Sequence, residues 1–272
     1  MASNPIRLIA TDIDGTLLSS RLIIPDRNLR AIRAAQERGI TVAISSGRFP
    51  ENVYVLLQDY GLRCPIIGTN GADVVDEELN RLSETFIAPE PALQTLDELI
   101  RLGSDYFMFS RQAVCTSRET RKHHSELSFG NRIRAMGFTY YHGPQEAAAL
   151  AGQGLAHKFF VCDNVPLDQV REALRDISGI DLTQSSTNNV EVMPCGVDKG
   201  IGIRALADSL RIPMAQVMAI GDEGNDIPML RAAGYGVAMA NGSAEAKAAA
   251  RYFTDTNDDC GFAKAVERYA LV

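Results

Sequence analysis

The chain has 272 residues, 46% hydrophobic and 22% charged, enough apolar material for the core of one large or two modest globular domains. A formal net charge of -7 argues against a nucleic-acid partner, whose phosphate backbone is bound through clustered Lys and Arg. No apolar stretch approaches the roughly 20 residues that cross a bilayer, and no basic region precedes a long apolar run at the start, which predicts a cytoplasmic protein without membrane contact.

The five cysteines are odd in number, widely spaced and never in a C-x-x-C, so the sequence suggests neither a disulfide framework nor a zinc site. Residues 6–10 (IRLIA) predict a short buried strand that ends at Asp12 and Asp14. Carboxylates two positions apart can converge on one hard cation, and an Asp-Gly step can equally be a plain turn.

Residues 25–39 predict a helix: Pro25 suits its first turn, Leu29, Ile32 and Ala35 form the apolar stripe, and Gly39 stops it. "ITVAISSGR" follows as a strand running into Ser46, Gly47 and Arg48. A hydroxyl, a backbone N–H beside glycine and a guanidinium can hold a phosphate, or the segment is a serine-rich turn. "CPIIGTNGA" repeats the strand-then-turn pattern, and the strand–helix alternation predicts a parallel sheet with right-handed crossovers.

From residue 84 to 189 the texture changes to "PALQTLDELIRLG", the aromatic strand "DYFMFS", "FTYY", "HKFFVCD" and "PLDQVREALRDISG", which reads as an inserted α+β domain. Within it, residues 146–154 (EAAALAGQG) read as a loop of small residues, and Lys158 as a strand-end lysine that snorkels to solvent. Arg118, Arg121, Lys122, His123 and His124 form a basic run, either a solvated face or a contact for an anionic group. His142 and His157 lack partners at ligand spacing.

After the insert, Lys199 in "VDKG" is either a fixed positive charge for a phosphate or a surface lysine. "VMAIGDEGND" is a strand ending on Asp222, Glu223, Asn225 and Asp226, where a carboxylate can complete a metal's oxygen shell and Asp226 can cap the next helix. A helix (IPMLRAAG), a strand (GVAMA), a helix (SAEAKAAA) and a last short strand (RYFT) complete the pattern. The organisation expected is therefore an α/β core of 1–83 and 190–272, a Rossmann-like parallel sheet with helices on both faces, interrupted by an α+β cap at 84–189. In such sheets ligands bind beyond the carboxyl ends of the strands, where all four polar motifs fall.

In that order, D-x-D-G-T, S-G-R, K and G-D-x-x-N-D resemble the haloacid dehalogenase superfamily of phosphatases, and within it the Cof-type (subfamily IIB) enzymes, whose large cap is inserted after the third core strand. The resemblance runs nearly the full length through "LIATDIDGTLL", "SSGR", "TNGA", "VEVMPCGVDKG", "AIGDEGNDIPML" and "GVAMANG", and is weak in the cap. It implies a phosphoric monoester hydrolase in which Asp12 is the nucleophile and Asp14 the acid/base. It places the transferring phosphoryl group against Ser46, the backbone of Gly47 and Ile13, Lys199 and Asn225. Mg2+ would be held by Asp12, a backbone oxygen of Asp14 and Asp222, and Arg48, Asn70 and Gly71 would line the entrance. Asp226 would support Lys199 or the metal.

Ser46 stands where Thr is usual, and Asp198 and Glu223 add carboxylates that would make the site more acidic or tighten metal binding. The expected substrate is a small phosphorylated metabolite such as a sugar phosphate, with flavin mononucleotide and pyridoxal phosphate as further candidates. The chain is expected to be a monomer or homodimer. A hexose phosphomutase, and a ligand sensor that keeps the fold without turnover, are the alternatives.

Overall fold

The computed structural model describes residues 6–117, 130–162, 164–185 and 188–272. It divides into two compact units, Met1–Ser83 with Asp198–Val272, and Glu84–Val197. The basic run from Arg118 to His124 lies outside the described residues.

The centre of the first unit is β1 (Leu8–Thr11), buried along its whole length. It is flanked in parallel by β2 (Thr41–Ser45) and a late strand, Val217–Gly221, with Thr11 opposite both Ile44 and Ile220. A strand covered on both faces must be apolar throughout, which is why "LIA" and "VMAI" carry no alternation. The register brings three carboxyl ends level, so the first polar residues beyond them, Asp12, Ser46 and Asp222, emerge together.

β3 (Ile66–Gly68) extends the parallel set, and β4 (Asp73–Val75) pairs antiparallel to it. With β5 (Arg81–Glu84) it adds an edge that the sequence pattern did not reveal. These strands are too short for a period to show.

The helices α1 (Asp26–Glu37) and α2 (Pro50–Asp59) follow β1 and β2. Pro25 is the residue before α1 rather than inside its first turn, and Asn28 is buried beside the Ala31, Ile32 and Ala35 stripe. Asn28 donates to the Leu17 carbonyl at 2.9 Å and accepts from the Ala263 amide at 3.2 Å, tying the loop after β1 to the C-terminal end of the chain.

In the second unit a six-stranded sheet holds β6 (Tyr106–Phe109), β7 (Ala113–Thr116), β8 (Thr139–His142), β9 (Lys158–Cys162), β10 (Ile180–Thr183) and β11 (Asn189–Pro194), in the order β10-β11-β9-β6-β7-β8. Among its described residues the helices are α3 (Pro89–Arg101), α4 (Gly130–Ala135), α5 (Pro144–Gly152) and α6 (Leu167–Leu174). One face of the sheet packs Tyr106, Met108, Phe159, Val161, Val190 and Val192 against apolar residues of α3, α5 and α6.

Three expectations for this region are corrected. Because β11 pairs with β9 and β10, residues 190–197 belong to the second unit, and the chain rejoins the first unit at Asp198 rather than at 190. The small-residue stretch 146–154 is mostly the helix α5, since alanine is the best helix former and Ala147 and Ala151 bury against the core. Lys158 does not snorkel: it is 2% exposed, and its Nζ lies 3.0 Å from the buried Glu191 carboxylate, with the rings of Phe109 and Phe160 beside it.

The chain re-enters the first unit through α7 (Lys199–Ser209), then runs through β12 (Val217–Gly221), α8 (Ile227–Ala232), β13 (Tyr235–Ala238), α9 (Ala244–Ala249), β14 (Tyr252–Phe253) and α10 (Gly261–Tyr269). The full order is β14-β13-β12-β1-β2-β3-β4-β5. The helix α10 was not anticipated; it buries Phe262, Ala263, Ala265 and Val266, and Arg27 of α1 pairs with its Glu267 at 2.6 Å.

Candidate active site

Beyond β1 the chain leaves the ladder with one last bond, from the Asp12 amide to the Ile220 carbonyl at 2.9 Å. Residues Ile13–Leu17 then form a single wide turn, closed by the Leu18 amide on the Ile13 carbonyl at 2.9 Å, the five-residue spacing of a π-turn. Gly15 has φ +83°, and a Cβ there would stand 2.2 Å from Asp222 Oδ2. The turn thus demands glycine both for its backbone and for the carboxylate lying against it.

Thr16 Oγ1 donates to Asp222 Oδ1 at 2.5 Å, so the motif after β1 seats the carboxylate that follows β12. Asn241 Nδ2 holds the same turn by donating to the Gly15 carbonyl at 2.9 Å. Neither Thr16 nor Asn241 was assigned a role from the sequence. Both lie inside recognisable motifs, but a lone hydroxyl and a lone amide carry no spacing signal.

Lys199 opens α7 and is fully buried. Its Nζ donates at 2.6 Å to Asp12 Oδ1 and at 2.6 Å to Asp226 Oδ1. The other oxygen of Asp226 accepts the amides of Asp222 at 2.8 Å and Glu223 at 3.0 Å. Asp226 therefore does not cap α8 with its side chain; it closes the turn behind Asp222 and fixes Lys199.

Single ligand oxygens of Asp12, Asp222 and Asp226 lie within 4.8 Å of one another. Burial, reinforced by the neighbouring carboxylates, pushes Asp12 well above its ordinary range, although Lys199 opposes the shift. Burial likewise raises Asp222, to about 7, against the Thr16 hydrogen bond. For Lys199 burial works against the charge, yet Asp12 and Asp226 outweigh it and keep the ammonium protonated. Three carboxylates around one ammonium leave a formal excess of negative charge, and the donor set is all oxygen, which suits a hard divalent cation. Asp226 is already engaged by Lys199 and two amides, so Asp12 and Asp222 are the available donors.

Around this centre Ser46 is buried, and its Oγ accepts the Arg48 amide at 3.2 Å, which leaves the hydroxyl proton to donate elsewhere. Arg48 turns to Asp14, with Nε–Oδ2 at 3.1 Å and Nη2–Oδ1 at 2.7 Å, on the more exposed side of the site. Asn225 donates from Nδ2 to Asn70 Oδ1 at 3.2 Å. Gly71 packs where a Cβ would meet the Asp198 carbonyl at 2.2 Å.

The two extra carboxylates have local tasks. Asp198 caps α7 by accepting the Ile201 amide at 2.9 Å, and Glu223 forms a reciprocal capping box with Asp226.

A family model described as haloacid dehalogenase-like hydrolase matches residues 9–266. Over 268 residues the chain is 30% identical to the 5-amino-6-(5-phospho-D-ribitylamino)uracil phosphatase YcsE of Bacillus subtilis, covering 98% of this chain and 96% of that one. It is also 30% identical to the phosphatase YwpJ of the same organism, covering 95% of this chain and 98% of that one. Among solved structures, a haloacid dehalogenase-like hydrolase from B. subtilis superimposes with a TM-score of 0.85 at 28% identity, covering 97% of this chain and 99% of that chain.

Proposed function

This chain belongs to the haloacid dehalogenase-like hydrolases and is a phosphoric monoester hydrolase, and from that premise we propose that it removes phosphate from small polyhydroxylated metabolites through an aspartyl-phosphate formed on Asp12, with Mg2+ as cofactor. The observation that carries this reading is Lys199 clamped between Asp12 and Asp226 at the carboxyl ends of β1 and β12, with Asp222 alongside. A surface lysine has no reason to be buried among three carboxylates; a charge that must face a phosphate does.

Asp12 and Asp222, with a backbone oxygen of Asp14, would hold the ion. When bound, Mg2+ neutralises the carboxylates and lowers their repulsion of the phosphate dianion.

The chain's own residues then divide the work. A carboxylate oxygen of Asp12 forms a bond to phosphorus as the bond to the leaving oxygen breaks, while Lys199 and the amide of Asn225 meet the charge on the transferring group. Ser46 donates its hydroxyl, and the backbone N–H groups of Ile13 and Gly47 add to the cradle. Asp14 gives its proton to the leaving oxygen, and the resulting carboxylate takes a proton from the water that attacks phosphorus and frees Asp12. Asp14 is held by Arg48 in this structure, so acting as an acid requires it to release that guanidinium and carry a proton.

To the second unit, which the family resemblance implies is a cap, we assign substrate selection. The activity of its relative YcsE makes a ribitylamino-uracil phosphate the first substrate to try, with hexose and pentose phosphates beside it. Phosphate release from such a panel, with Mg2+ and with chelator, for wild type and Asp12→Asn, tests the proposal. Metal-dependent release lost in a folded Asp12→Asn supports it; release that survives the substitution defeats it.

A further inference from the structure

Three consecutive residues after β3 have left-handed backbones: Thr69 at φ 51°, Asn70 at 52° and Gly71 at 96°. Glycine accepts this conformation and asparagine tolerates it, but a β-branched threonine rarely does. Such a run persists only where its surroundings dictate it.

Here they do. The Thr69 amide donates to the Arg48 carbonyl at 2.8 Å, the Asn70 amide to the Ser46 carbonyl at 3.0 Å, and Gly71 fits against the Asp198 carbonyl and Gly202 at the start of α7. The loop after β3 is therefore fastened to the phosphate loop after β2 and to the helix that carries Lys199. From this strained backbone the Asn70 side chain reaches Asn225, from which its oxygen accepts at 3.2 Å.

We infer that Asn70 is a positioning residue that fixes the side-chain amide of Asn225 for its contact with the transferring phosphoryl group, an inference that rests on the phosphatase reading above. An amide on a turn has freely rotating torsions; committing one of its two N–H groups to Asn70 aims the second. At 2% exposure, with its oxygen engaged by Asn225, Asn70 suits this role better than the substrate contact that the sequence suggested. The left-handed backbone at 69–71 is what brings the Asn70 amide to Asn225.

The test is a double-mutant cycle on the full-length Mg2+-loaded protein, using Asn70→Gly, Asn225→Ala and the pair, with p-nitrophenyl phosphate and a hexose phosphate as substrates. Glycine keeps the left-handed backbone at no steric cost, so Asn70→Gly removes the amide alone. We expect kcat/KM to fall about tenfold, by the same factor for both leaving groups, and Asn70→Gly to add less than about twofold in the Asn225→Ala background. Should Asn70→Gly fail to fold by circular dichroism, Asn70→Ser, whose hydroxyl stops short of Asn225, takes its place in the cycle.

Independent losses that multiply would overturn the inference, as would a loss that depends on the leaving group, which would make Asn70 a substrate contact. Unchanged rates in Asn70→Gly, where Asp12→Asn is inactive, would overturn it alone. A wild type silent toward every phosphomonoester would overturn the phosphatase reading and this inference together.

Discussion

Each unit of this protein buries a lysine, and the two are surrounded differently. Lys199 in the first unit faces Asp12 and Asp226 with Asp222 close by, three carboxylates against one ammonium, whereas Lys158 in the second unit sets one ammonium against the Glu191 carboxylate between two aromatic rings. A buried lysine facing a carboxylate that also accepts from Ser185 at 2.6 Å is close to neutral for stability, whereas an excess of buried like charge costs stability and persists where a cation or a reaction uses it. The contrast supports the proposed reactive role of the Lys199 cluster on charge balance alone, independently of the sequence motifs.

Breaking the Lys199 cluster should have the largest effect. Asp12→Asn removes the proposed nucleophile and one of three like charges, and should lower phosphate release at least about a thousandfold while leaving the thermal midpoint unchanged or raised. Steady-state kinetics beside a thermal melt checks both halves; a parallel loss of fold would mean that Asp12 is structural.

Next is Lys199→Met, which strands Asp12 and Asp226 together. A loss of about 3 to 5 kcal/mol by urea denaturation is expected, with activity abolished, and the loss should shrink when Asp226→Asn is added.

The second-unit pair sharpens the contrast. Lys158→Met alone should cost about 3 kcal/mol by taking the ammonium away from the buried Glu191 carboxylate, and Lys158→Met with Glu191→Leu should recover most of it. Urea melts of the two variants decide the point, since a cluster with a reactive purpose would not be replaceable as a unit.

Metal should act on the first unit only. At a hundred times its dissociation constant Mg2+ should stabilise the wild type by about 2.7 kcal/mol and do little for Asp222→Asn, a difference that thermal melts with and without chelator would show. Equal stabilisation of both proteins would remove Asp222 from the site.

The smallest effect is on pH. At Glu84 burial opposes ionisation, but hydrogen bonds from His157 and Arg111 outweigh it and bring its pKa from 4.5 to about 2. The stability this confers is complete above about pH 5 and drains away as pH falls towards 2. Because Arg111 is half exposed, about 1 kcal/mol is the expected size after solvent screening, seen as a smaller acid-side loss in Glu84→Gln than in wild type. Asp222 has the opposite sign: its raised pKa favours the metal-free fold at acid pH and loses that contribution as pH rises through about 7.

The strands β1, β2, β12 and β13 and the helices α1, α3, α6 and α8 were legible because burial writes apolar runs and apolar stripes into the chain. The short hairpin β4–β5 and the alanine-rich α5 were not, since three residues show no period and small residues mark loops and helices alike. His157 illustrates the limit well: no ligand spacing surrounds it in the sequence, yet it stacks on Phe86 with ring centroids 4.4 Å apart and meets Glu84 at 3.0 Å.

By itself the sequence determined which residue types stand beyond the strand ends, because a run of buried apolar residues that stops at Asp12, Ser46 or Asp222 exposes those groups at a predictable edge. It could not say which partner each would choose. The family resemblance offered Lys199 as a partner for Asp226, which the structure shows at 2.6 Å; that Thr16 seats Asp222, that Arg48 takes Asp14 and that Asn70 takes Asn225 were decided by the tertiary structure. Hydrogen bonds form between atoms brought within about 3 Å, and residues as distant in the chain as Thr16 and Asp222 reach that separation only when strand register places them side by side.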